Sequence, residues 1–140
     1  MNKGFMVVFD GSNGAGKTTV IKSVEKYLTA KGFDILLTRE PGGTPIGEKI
    51  REIILDPTTP EMSFMTELML FGAGRAQHIQ EKIIPALAQG KIVISDRFDA
   101  ATFSFQHFAR GIDLDTITKI NDLALAGFSP NMNIILDLDP

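Results

Sequence analysis

The amino-acid sequence predicts an α/β domain: a mostly parallel sheet flanked by helices. Three observations point there. Short unbroken apolar runs alternate with longer stretches in which apolar residues recur at three and four. A glycine-rich segment, Gly11 to Gly16, follows the first apolar run and opens the first helical stretch. Polar pairs follow three of the runs, namely Asp10-Gly11, Arg39-Glu40 and Asp96-Arg97. In an open parallel sheet such pairs converge on one edge, where ligands bind.

Each element has its own justification. Phe5-Met6-Val7-Val8-Phe9 is aromatic and β-branched and stops at Asp10-Gly11, which reads as a strand buried on both faces. Val20, Ile21, Val24, Tyr27 and Leu28 keep helical spacing, and Gly32 ends that helix. Residues 34–38 resume as a second strand. Thr44-Pro45 reads as an N-cap followed by proline in the first turn, starting a helix to about Leu55. A long helical region covers about residues 61–89, with Gly72, Gly74 and Pro85 as expected kinks. Ile92 to Ser95 is the third strand and Asn133 to Leu138 the fourth, with helices near 99–109 and 113–127 between them.

Composition narrows the function. The chain has 140 residues, 44% hydrophobic and 22% charged, which suits one globular domain over residues 1–140 and excludes wholesale disorder. Without cysteine there is no disulfide, thiolate metal site or cysteine nucleophile, in keeping with a cytoplasmic setting. The net charge of −3 argues against a nucleic-acid surface. No segment has the ~20 apolar residues of a membrane span. Any anion must therefore be held by a local device.

That device is legible. Gly11-Ser12-Asn13-Gly14-Ala15-Gly16-Lys17-Thr18 matches G-x-x-x-x-G-K-[ST] at each fixed position, between a strand and a helix. Its glycines let backbone N–H groups close on phosphate oxygens. Lys17 is expected to reach the β- and γ-phosphates of ATP, and Thr18, followed by Thr19, to offer a hydroxyl to Mg²⁺. Nucleoside triphosphate binding follows. GTPases, motor ATPases and small-molecule kinases share this loop, so the acceptor must be read elsewhere.

Thr38 to Thr44 spells T-R-E-P-G-G-T, Leu70 to Arg75 reads L-F-G-A-G-R, and Asp96-Arg97-Phe98 follows the third strand. Phe105-Gln106, Arg110 to Asp113 and Pro130 to Asp137 complete an ordered set. With the phosphate loop, these segments resemble the bacterial thymidylate kinase family, from Phe5 to Pro140 without a break. The resemblance implies a phosphate-loop NTPase fold and transfer of the ATP γ-phosphoryl to dTMP. It implies that Arg97 and Arg51 hold the acceptor phosphate, that Phe71 stacks on thymine, and that Arg75 and Thr102 bond the base. Phe105 would pack beneath the deoxyribose, Asp10, Glu40 and Pro41 would shape the acceptor site, and Asp96 would help organise Mg²⁺. A homodimer is also implied. Arginine forks suit a dianionic phosphate, and phosphoryl transfer needs positioning more than a covalent nucleophile.

The remaining residues read more plainly. Phe64, Phe98, Phe103, Phe108 and Phe128 are expected in the core or in helix packing, and the Met62, Met65, Met69 stripe in the core. His78 and His107 are expected to be structural or exposed, and Asp113 and Asp115 to cap a helix or partner its dipole. Two departures from the family pattern stand out. Asn13 occupies a position where bacterial members usually carry Glu or Asp. The family continues beyond the fourth strand into a helix, an arginine-bearing lid, another strand and a terminal helix, so the chain is expected to lack the lid and final elements. The alternative reading is a catalytically weak or inactive nucleotide-binding fragment or remnant of that family.

Overall fold

In a computed structural model, which describes residues 3–11 and 16–137, four strands form one sheet in the order β2-β3-β1-β4, with all pairs parallel. These are β1 (Phe5–Gly11), β2 (Ile35–Arg39), β3 (Ile92–Asp96) and β4 (Met132–Leu136). Between β1 and β2 lies α1 (Lys17–Ala30). The β2–β3 connection carries α2 (Pro45–Leu55), α3 (Phe64–His78), a π-helical turn (Ile79–Ile83) and α4 (Ile84–Ala88). The β3–β4 connection carries α5 (Ala100–Ser104), a second π-helical turn (Phe105–Ala109) and α6 (Leu114–Leu125).

Strand alternation sorts the core into two apolar layers. Val7 and Phe9 of β1 pack with Ile94 and with Ile21 of α1 on one face. Met6 and Val8 pack with Val93, Phe98, Ile79, Ile83 and Ala86 on the other. Burial of each such side chain is worth ~1.5–3 kcal/mol, which is why these short strands need both faces covered. The β1 to β2 connection passes over β3, whereas β3 to β4 passes over β1. The seam between β1 and β3 is therefore the topological switch point, the place where open α/β sheets bind ligands.

Helix starts follow the sequence reading. Thr44 Oγ1 accepts the Gly47 N–H at 2.9 Å, and Asp113 accepts the Thr116 N–H at 3.2 Å. Asp115 instead pairs with Lys119 one turn on, at 2.9 Å. The long helical region differs from expectation. Gly72 and Gly74 do not kink α3; Gly72 lies close against Ile120, whereas a Cβ on Gly74 would meet Ile50 at an ordinary 3.7 Å. The helix departs from α geometry just before Pro85, where the Ile84 N–H bonds back to the Ile79 carbonyl. Proline lacks an N–H and its ring crowds the carbonyl four residues earlier, and the wider turn accommodates both demands. The expected packing of four apolar residues is corrected. Phe64, Phe108, Met65 and Met69 are exposed, since their helix faces have no covering layer within the described residues. Phe98 is core as expected, with Phe128 edge-on at 6.1 Å between ring centroids. His78 is wholly buried, the structural one of its two expected readings.

Candidate active site

The carboxyl ends of β1, β2 and β3 lie side by side, because Asp96 pairs in register with Phe9 on one side and Arg39 on the other. At this edge opens a cavity of about 430 Å³. Its lining includes every acceptor-side residue expected from the sequence except Asp10: Glu40, Pro41, Arg51, Phe71, Arg75, Arg97, Thr102 and Phe105. Lys17, Asp96, Arg39, Leu55 and Phe98 complete it. Asp10 lines an adjoining cavity that shares Arg97 and Phe105 with the first. Ser12, Asn13, Gly14 and Ala15 lie outside the described residues.

The described ends of the phosphate loop have local reasons for being glycine. Gly11 has φ +127°, and a Cβ there would lie 2.5 Å from the Leu136 carbonyl oxygen, so only glycine lets β4 approach β1. Gly16 precedes α1 at φ +73°. Unlike α2, α3 and α6, α1 has no side-chain cap among the described residues, which suits its first N–H groups to an anion. Thr18 and Thr19 are exposed on its first turn. The Lys17 ammonium is buried and sits 2.7 Å from Asp96 Oδ1, joining the start of α1 to the end of β3.

Arg97 is held in an uncommon backbone state, φ +69°, which costs a non-glycine residue ~1–3 kcal/mol. Its N–H donates to the Phe9 carbonyl at 2.9 Å, its carbonyl accepts the Ser95 hydroxyl at 2.6 Å, and its guanidinium donates to the Gly11 carbonyl at 3.1 Å. The strain is thus offset by bonds that place the guanidinium across the β1–β3 seam. Arg51 donates to the Pro41 carbonyl at 2.9 Å, which ties α2 to the cis Glu40-Pro41 turn. Phe105 is partly exposed, and the Arg110 guanidinium lies between it and Phe64, 4.8 and 4.7 Å from the ring centroids.

Beneath these groups lies a buried polar network. Arg75 donates through Nε to Glu40 at 2.8 Å, through Nη1 to Asn121 at 3.0 Å, and through Nη2 to Thr102 at 2.9 Å and the Phe98 carbonyl at 2.7 Å. Asn121 in turn donates to Asp99 at 3.1 Å. His78 bonds the second oxygen of Glu40 at 2.7 Å and Thr38 at 2.6 Å. Sequence reasoning missed Phe98, Asp99 and Asn121 and gave His78 no partner. Apolar periodicity hides Phe98 among core aromatics, and the polar partners lie 22 to 46 positions apart, so no local spacing marks them.

Among the described residues, three acidic or imidazole groups nowhere gather as a metal cage. The Thr18 hydroxyl and Asp96 carboxylate nevertheless border one cleft beside α1. One carboxylate and one hydroxyl suit Mg²⁺, which keeps its waters and takes phosphate oxygens rather than a full protein shell.

A three-strand edge that carries the ends of a phosphate-loop motif, and a cavity there lined by four arginines and three phenylalanines, define a phosphate-loop nucleotide-binding α/β protein. Comparison with known proteins narrows the class. The family model described as thymidylate kinase matches residues 9–140. A thymidylate kinase of Geobacillus sp. (strain WCH70) is 52% identical over 138 residues, covering 99% of this chain and 66% of that protein. One from Clostridium novyi (strain NT) is 43% identical over 140 residues, covering all of this chain and 68% of that one. The crystal structure of thymidylate kinase from Ehrlichia chaffeensis superposes with a TM-score of 0.87 at 35% identity, covering 98% of this chain and 78% of that one. The chain belongs to the thymidylate kinase family, and it spans about two thirds of the length of these curated relatives.

Proposed function

We propose that residues 1–140 form one phosphate-loop kinase unit that transfers the γ-phosphoryl of ATP to dTMP, giving dTDP and ADP. The carrying observation is the single cavity that gathers Arg51, Phe71, Arg75, Arg97, Thr102 and Phe105 beside Lys17 and Asp96. An oxygen of the dTMP phosphate attacks the γ-phosphorus as the bond to the β-phosphate bridging oxygen breaks, so both phosphates need fixed partners in line.

On the acceptor side, Arg97 and Arg51 line the rim and hold the dianion by charge-assisted bonds, with Arg97 aimed by its own backbone. Phe71 offers an aromatic platform for thymine, with Phe105 beneath the sugar. Thr102 and Arg75 meet the base edge; four of the five guanidinium N–H groups of Arg75 are engaged by described residues, which leaves one on Nη1 for a ligand. Asp10, Glu40 and Pro41 shape the site. On the donor side, Gly11 to Gly16 enclose the phosphates of ATP, and Lys17 leaves Asp96 for the β- and γ-phosphates. Mg²⁺, when bound, neutralises charge across those phosphates; Thr18 and Asp96 would hold it. No described helix is long and apolar enough to cross a membrane, and a cytoplasmic enzyme fits that. Exposed Ile46 and Ile53 of α2, Met65 and Met69 of α3 and Leu123 of α6 support a homodimer through these helices.

The test is dTMP-dependent ADP release with ATP and Mg²⁺, read beside dTMP binding. Arg97→Ala and Lys17→Ala are each expected to cut turnover at least ~tenfold, in line with the loss of a charge-assisted contact to a transferring phosphoryl. Arg97→Ala weakens dTMP binding, whereas Lys17→Ala weakens ATP binding. Turnover at the wild-type level in both variants, or stronger stimulation by another nucleoside monophosphate, refutes the assignment.

A further inference from the structure

We propose that His78 is a positioning residue of the acceptor pocket, holding Glu40 so that Glu40 fixes Arg75; the inference rests on reading the cavity as the dTMP site. His78 does not line that cavity, so it touches no substrate there and can act only through its partners. It lies on α3 one turn after Arg75, so both side chains leave the helix on the same side. Glu40 is divided between them: Oε1 takes Arg75 Nε at 2.8 Å and Oε2 takes His78 Nδ1 at 2.7 Å. The side chains of Arg75, His78 and Glu40 are 2%, 0% and 4% exposed, so no bulk water can replace either bond.

The chemistry of each atom fixes the direction of the chain. An ionised carboxylate only accepts, so Nδ1 carries the hydrogen and donates to Glu40. In the neutral ring Nε2 is then an acceptor, matched by the hydroxyl of Thr38 on β2 at 2.6 Å. The ring is thus anchored to the sheet on one side and to the Glu40-Pro41 turn on the other. Gly43 closes over this pair: a Cβ there would lie 2.5 Å from His78 Nε2 and 2.9 Å from Thr38 Oγ1. Without the imidazole, Oε2 of Glu40 would be buried lacking a donor, and the carboxylate would turn to find one. Arg75 would lose the bond on its Nε edge, while the bonds to Asn121, Thr102 and the Phe98 carbonyl on its Nη edge remained. The guanidinium would then pivot, and the N–H left for the base would move with it.

Two amide variants separate the two ring nitrogens. His78→Asn keeps an N–H donor at the Nδ1 position and loses the reach to Thr38; His78→Gln reaches Thr38 but leaves Glu40 without its donor. Calorimetric binding of dTMP and of ATP to the protein and its variants provides the readout. His78→Gln and His78→Ala are expected to weaken dTMP about tenfold, the scale of one lost buried bond to a charged group, with ATP affinity held within about twofold. His78→Asn is expected to retain most dTMP affinity, and the Asn and Gln contrast decides the matter even where the Ala variant does not fold. Equal dTMP affinity in the Asn and Gln variants, the reverse order, or parallel loss of dTMP and ATP overturns the proposal. A wild-type protein that binds ATP but not dTMP overturns instead the acceptor reading on which it stands.

Discussion

Glu48 shows how a single side chain sets the shape of the loop above the cavity. Its Oε1 accepts the Gly43 N–H at 3.0 Å and its Oε2 meets Arg39 at 3.0 Å. The backbone bond from Gly43, then Arg39, and more weakly Arg51, hold its carboxyl below the ordinary glutamate value of 4.5. A carboxyl whose folded pKa is depressed stabilises the fold above its unfolded value and loses that contribution as pH falls through the folded one. Glu48→Gln is therefore expected to cost stability at neutral pH, by ~0.2–1 kcal/mol because the pair is solvent-screened. The gap between variant and wild type closes as the pH drops below the lowered pKa, and urea titrations across that range measure it. The candidate site was legible at this scale wherever residues sit in contiguous motifs, as from Thr38 to Thr44 and at Asp96-Arg97. It was illegible wherever one buried polar atom answers another far along the chain. His78 and Asn121 look in sequence like any surface His and Asn, and only folding shows that Glu40 and Arg75 need them.

At the scale of elements, α3 carries the most information. It supplies Phe71 and Arg75 to the cavity and His78 to the network, while its Gly72 lets α6 lie close. A Cβ on Gly72 would come within 3.2 Å of Ile120 Cγ2, tighter than ordinary contact, so a larger side chain must push α6 aside. Gly72→Leu is expected to destabilise the protein by ~1–3 kcal/mol through overpacking, despite the better helix propensity of leucine. A shift of the urea midpoint would register it, and an unchanged midpoint would mean that α6 moves freely. Strand and helix positions were readable because each apolar run has the period of its element. The glycines were misread because sequence pattern cannot separate a glycine that bends a helix from one that lets a neighbour in. The π-helical turn before Pro85 follows from proline chemistry, but where the extra residue is absorbed depends on the packing of Ile79 and Ile83 under the sheet.

For the whole molecule, the exposed apolar residues of α2, α3 and α6 have the largest consequence. Ile46 and Ile53 are seven apart on α2, and Met65 and Met69 are four apart on α3, so each pair shares a helix face. Leu123 of α6 is 81% exposed. If two copies meet through these helices, Leu123→Glu is expected to shift the protein from dimer to monomer in sedimentation equilibrium while leaving each subunit folded. A monomeric wild type would remove the homodimer from the proposal. The parallel sheet and the polar edge at its strand ends were legible from the alternation of elements, and strand order was not, because it is fixed by which faces the helices cover.

The β1–β3 seam under Arg97 has a mechanical side. Its two crossovers run in opposite directions, one over β3 and the other over β1, and each apolar layer contains side chains of both strands. The floor of the cavity is therefore strapped from above and below, and β1 cannot part from β3 unless both layers loosen together. A ligand at this edge meets a stiff base, and whatever yields to admit it must be found among the loops and helix ends around the rim.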